Sequence, residues 1–121
     1  MDPEVRKQVL RMLTYGLYVV TAAHGGKAAA DTVNWLTQAS FQPPLVVVAI
    51  KTTSQLHPLV EGSGAFAVNV LGAHQKDVAQ AFFRPSQVEA GRINGYPFEP
   101  GPATGAPLLL DLPAWFEAQV T

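Results

Sequence analysis

The densest chemistry in the chain follows one aliphatic run: Lys51, Thr52, Thr53, Ser54 and, three residues on, His57. A cation, hydroxyls and backbone amides converge there, next to a helix start expected around Pro58. Point charge, hydrogen-bond donors and helix dipole together suit a phosphate dianion. An ordinary polar loop has much the same composition, so that reading stays open beside it. Ser54 and His57 also invite a nucleophile–base reading. No oriented acid and no strand–turn–helix elbow accompanies them, which argues against hydrolase chemistry. His24, His57 and His74 lack the spacing of metal ligands, and Asp31, Glu61 and Asp77 form no catalytic dyad. No GxGxxG follows a strand, so a Rossmann dinucleotide site is not indicated.

A second polar stretch lies upstream: Thr32-Val33-Asn34-Trp35-Leu36-Thr37-Gln38-Ala39-Ser40-Phe41-Gln42-Pro43-Pro44. It leads into Leu45–Ile50, a continuous aliphatic run expected to form a strand buried on both faces. Pro43-Pro44 marks the junction, where a strand can begin but a ladder cannot continue. Polar side chains and backbone amides are thereby set beside a rigid sheet, as in small-molecule sites. For Thr32 and Asn34 the plainer alternative is capping of backbone groups at a strand end. For Trp35 it is a place in the core or at a dimer interface.

Asp2-Pro3 suits a helix start, with Asp as N-cap and Pro at the first position, and Val5, Val9, Leu10, Met12 and Leu13 form an apolar stripe. Tyr15–Ala23 reads as a strand, His24-Gly25-Gly26-Lys27 as a hairpin turn and Lys27–Val33 as the returning strand. His57 is expected near the N-cap of a short helix that begins at Pro58 and ends at Gly62 and Gly64. Ala65–Leu71 reads as a strand. His74–Phe83 reads as a helix with Val78, Ala81 and Phe82 on one face, stopped by Arg84-Pro85. Pro85–Pro107 is rich in Gly and Pro, with Asn94-Gly95 a turn, and another strand starts within Pro113–Val120. Hairpins with a few short helices indicate a mostly β fold, a small antiparallel barrel.

The totals agree. At 121 residues, 48% hydrophobic and 14% charged, the chain is expected to form one domain, or a subunit that buries surface in an oligomer. A net charge of -1 with scattered basic residues favours neither nucleic acid nor an anionic membrane. The absence of cysteine excludes disulfides, Fe–S clusters and thiol nucleophiles. No apolar run is long enough for a membrane helix, and the charged N-terminus does not read as a signal peptide, so a cytoplasmic location is the default expectation.

Thr-x-Asn-x-x-x-x-x-Ser-x-x-Pro-Pro, the aliphatic strand and then Lys51-Thr52-Thr53-Ser54-Gln55-Leu56-His57 resemble the flavin reductase-like family of FMN-binding split barrels. Tyr15–Thr21 and Phe66–Leu71 fit the same pattern, and the Trp35 variant resembles a flavoprotein subgroup of it. The resemblance covers nearly the whole chain. It implies a split β-barrel that pairs as a homodimer and binds FMN, with FAD the alternative, with NAD(P)H as co-substrate and a flavin-dependent monooxygenase or other acceptor as partner. The implied cofactor-binding residues are Thr32, Asn34, Trp35, Gln38, Ala39, Ser40, Lys51, Thr52, Ser54, His57, Phe83 and Arg84, with much of the flavin held by backbone. Gln80 lies in the same region, Phe82 is expected in the core, and Arg92 is expected to be a surface ion-pair partner. Family members continue past the equivalent of Thr121 through further strands and a Gly-Asp-His segment associated with nicotinamide, so the C-terminal strands are expected to be missing here. The leading function is an NAD(P)H-dependent flavin reductase. A flavin-binding electron carrier and a non-catalytic dimeric barrel are the alternatives.

Overall fold

The computed structural model describes residues 1–121. The frame is a four-stranded sheet in the order β10-β5-β1-β2, built from β1 (Tyr18–His24), β2 (Lys27–Val33), β5 (Ala65–Val70) and β10 (Ala114–Gln119). All its pairings are antiparallel, with Tyr18 opposite Val33 on one side of β1 and opposite Val70 on the other. Gly25 and Gly26 turn β1 into β2 at φ 60° and 80°, the left-handed values a two-residue hairpin loop requires. Because side chains alternate across a strand, Val19 and Val20 point to opposite faces of β1, and both are fully buried.

Val19 packs with Val78, Ala81 and Phe82 of the α3 region (α3, Lys76–Ala81) and with Ile93 and Leu109. Val20 packs with Leu56 of α2 (Leu56–Ser63) and with Val33, Phe66 and Val68. The Gly- and Pro-rich stretch after Pro85 is not a plain loop. It forms a second sheet, β6-β7-β8-β9, from Val88–Glu89, Arg92–Ile93, Tyr96–Pro100 and Pro107–Leu109. Its strands are too short and too interrupted by proline for a period-two pattern to register. The expected Asn94-Gly95 turn is present, with φ 48° and 86°. Arg92 donates to the Gly95 carbonyl at 2.9 Å and makes no ion pair, because its guanidinium closes the local turn.

Two further expectations are corrected. The aliphatic run forms β4 only over Leu45–Val48, and it is not buried on both faces. It pairs with β3 (Leu36–Ser40) alone, so alternate residues face outward and Val47 is 60% exposed. The polar stretch upstream is therefore half strand, since Leu36–Ser40 supplies the partner that β4 needs. The second helix begins at Leu56 rather than Pro58, which puts His57 inside it. The first helix forms as expected (α1, Pro3–Arg11), with the Asp2 carboxylate accepting the Glu4 N–H at 2.8 Å, but its apolar stripe is unburied. No helix is long and apolar enough to cross a membrane.

Glu117 ties β10 to the loop before β9. Its carboxylate accepts the N–H groups of Ala103 and Thr104 and the Thr104 hydroxyl. Burial alone would raise its pKa, but those three donors outweigh burial and hold it below the ordinary glutamate value. A carboxylate depressed in the folded state stabilises above its unfolded pKa and loses that contribution as pH falls through its folded one. Glu117→Gln should therefore lower the melting temperature at pH 7, and the difference from the unaltered protein should shrink as pH falls below the ordinary glutamate value. A pH-independent difference would show that the effect is packing.

Candidate functional site

β2 is an edge strand, and the chain leaves it at Asn34 and Trp35 to build the β3–β4 hairpin. The hairpin returns at Ala49, whose N–H donates to the Trp35 carbonyl at 2.9 Å. A cleft of about 670 Å³ opens at this crossing. Its walls are the end of β2 and Asn34 (residues 30–34), Trp35, residues 49–51 and 53–56 and the segment Phe83–Pro85, with Leu17 at the margin. That volume lies within the roughly 300–1,000 Å³ typical of small-molecule sites.

The cationic wall is a tight turn. Ser54 N–H donates to the Lys51 carbonyl at 3.1 Å, and the Ser54 hydroxyl donates to the same oxygen at 2.8 Å. The hydroxyl also accepts the His57 N–H at 3.2 Å, so it closes the entry to α2. Ser54 thus spends its proton on the turn and shapes the loop that carries Lys51. The His57 imidazole faces Glu61 at 3.8 Å, one helical turn along. It makes no bond to the Ser54 hydroxyl, which removes the geometric basis of the nucleophile–base reading.

The opposite wall carries Arg84 and Phe83. Thr32 N–H donates to the Phe82 carbonyl at 3.2 Å, and the Thr32 hydroxyl donates to Ala79 at 2.7 Å. Thr32 is buried and serves to tether α3 and the following residues to β2, as the backbone-capping alternative has it. Phe82 is fully buried, and Phe83 beside it is 67% exposed. Trp35, at 62% exposed, is not a core residue within the chain and stands free at the cleft. Half-buried Asp31 lies at the same cleft; burial raises its carboxyl pKa, opposed by the Lys51 charge and the Thr32 N–H.

Of the residues predicted to hold flavin, the fold brings Thr32, Asn34, Trp35, Lys51, Ser54, Phe83 and Arg84 to this one cleft. Gln38 and His57 line a different and larger groove of about 1,380 Å³ between the β3–β4 hairpin and the end of β10, together with Thr37. Ala39, Ser40 and Thr52 border neither space. The split follows from β3 being a strand: beyond Trp35 it carries side chains away from β2. Sequence reasoning missed Leu17, Gln55 and Pro85 and passed over Asp31. The one signal for Gln55 was its place in the Lys51–His57 run, and for Pro85 its adjacency to Arg84.

Residues 10–121 match the family model described as the flavin reductase like domain. A Rhizobium meliloti (strain 1021) protein named "Probable flavin reductase" is 33% identical over 120 residues, which span 98% of this chain but 37% of that protein. The reductase component of 4-hydroxyphenylacetate 3-monooxygenase from Thermus thermophilus is 34% identical over 96 residues, 76% of this chain and 64% of that one. The solved NADH:FAD oxidoreductase SgcE6 of Streptomyces globisporus superposes with a TM-score of 0.80 at 28% identity, covering 100% of this chain and 73% of that chain. The chain thus spans about a third to two thirds of the length of these two curated relatives. With the family model matched from Leu10 to the last residue, and the mostly β fold shared with a solved flavin oxidoreductase, this chain belongs to the flavin reductase like domain family.

Proposed function

We propose that the cleft between β2, the Lys51 turn and Phe83–Pro85 binds FMN, and that the protein is an NADH-dependent flavin reductase. The single observation that carries this is the pairing of two cations with two exposed aromatics in one small-molecule-sized cleft. Lys51 and Arg84 suit a phosphate end. Trp35 and Phe83 offer apolar faces to a ring system. The two cations fit the terminal phosphate of a flavin mononucleotide. When bound, the flavin supplies the hydride-accepting chemistry, and the chain supplies binding, orientation and the exclusion of water. A monooxygenase as the acceptor of reduced flavin is supported by the name of the Thermus relative.

The same reading takes the fold as a split barrel. The exposed stripe of α1 with Trp115 is surface for a second copy. The test is one preparation of the protein. Purified chain should take up FMN stoichiometrically and scatter light as a dimer, and any NADH oxidation under air should require flavin. Flavin uptake without NADH oxidation would favour the electron-carrier alternative. No uptake at micromolar FMN would overturn the proposal.

A further inference from the structure

Phe83–Pro85 is a strap pinned at both ends. At one end Thr32 N–H holds the Phe82 carbonyl. At the other the Ser86 hydroxyl accepts the Ala30 N–H at 2.9 Å and donates to the Ala30 carbonyl at 3.1 Å, filling a place on the open edge of β2 as a neighbouring strand would. Arg84 and Pro85, between the pins, make no hydrogen bond of their own. A further bond links the strap to the other wall: the Ser86 N–H donates to Gln55 Oε1 at 2.6 Å. Gln55 directly follows the Lys51–Ser54 turn. The two segments that carry the cleft's cations are therefore fastened to each other and, through Ser86, to the sheet.

We infer that Gln55 and Ser86 are positioning residues that fix the spacing of Lys51 and Arg84, so that the cleft selects a flavin ending in a phosphate. The inference rests on the flavin reading above. Two long cationic side chains on independent loops would have to be ordered when the ligand arrives, at a cost in conformational entropy. Holding their backbones at a set separation removes part of that cost, but only for a ligand that engages both. Riboflavin has the same ring and ribityl chain without the phosphate, so it gains little from the clamp.

The test uses the whole chain with FMN and riboflavin as separate probes in fluorescence titrations. Gln55→Ala cuts the bond between the walls. Ser86→Ala cuts the hold on β2 and leaves the Ser86 N–H for Gln55, so either variant is informative if the other folds poorly. Each should weaken FMN about tenfold and riboflavin less than about twofold. In an Arg84→Ala background, Gln55→Ala should change FMN affinity by less than about twofold, because residues that act through a shared group are not additive. Equal losses for both probes, or additive losses in the double variant, would make the clamp an ordinary structural contact and overturn the inference. Discrimination that survived intact in both variants would overturn the clamp alone. An unaltered protein that bound both probes equally would overturn the phosphate reading, and the clamp with it.

Discussion

Lys51→Ala should weaken FMN by roughly ten- to a hundredfold and leave riboflavin nearly unchanged, the loss expected when a charge-assisted bond of about 1.5–3 kcal/mol to a phosphate is removed. Lys51 sits on a turn closed twice onto its own carbonyl, by the Ser54 N–H and the Ser54 hydroxyl, so its backbone is fixed. Its ammonium shares the cleft with Arg84 and with no other cation. Arg84→Ala should therefore give the same selective loss. Thr37→Ala is the control: Thr37 lines the larger groove and donates to the Gln38 carbonyl at 3.3 Å, so both affinities should stay within about twofold of the unaltered protein. Equal weakening of FMN and riboflavin by Lys51→Ala would make Lys51 a structural residue and leave Arg84 as the phosphate contact.

Asn69→Ala should cost about 3–5 kcal/mol, a large share of the roughly 5–15 kcal/mol that holds a domain together. Asn69 is fully buried on β5. Its amide donates to the Val19 carbonyl at 3.1 Å, with longer contacts to the Pro107 carbonyl and the Thr21 hydroxyl, and its own oxygen accepts the Leu109 N–H at 2.9 Å. One side chain thus joins β5 and β1 of the main sheet to β9 of the second. Truncation strands a buried N–H and leaves a hole where the amide was, and the two penalties add. Thermal unfolding followed by circular dichroism gives the answer. A loss under about 1 kcal/mol would show that water replaces the amide there.

The fold was legible wherever local chemistry decides it. The Asp2-Pro3 cap, the Gly25-Gly26 hairpin and the Asn94-Gly95 turn each need a specific residue type, and each appears where the residues predict. β1 announces itself through its β-branched run Val19–Thr21, and β2 follows from the hairpin turn that returns the chain beside it. The second sheet was not legible, because two-residue strands such as Val88–Glu89 and Arg92–Ile93 exist only by pairing with neighbours. Burial of β4 was misread for a related reason: an aliphatic run shows the capacity to be buried, while the number of neighbouring strands decides whether it is.

The candidate site was legible in its charged half. Lys51 and Arg84 stand 33 residues apart in sequence, yet both were marked and both reach one cleft. The polar half was only partly legible. Thr32 and Asn34 arrive, but Gln38 faces another space once Leu36–Ser40 pairs with β4. Gln55 and Ser86 carried no readable signal, since their value lies in a bond across 31 positions that no local pattern encodes.

Flavin is expected in the cleft at β2 and not in the larger groove beside β10. The structure of this chain soaked with FMN tests it most directly. The phosphate should lie against Lys51 and Arg84 and the ring system beside Trp35 and Phe83. Flavin found in the groove lined by Thr37, Val46, His57 and Phe116 would contradict it.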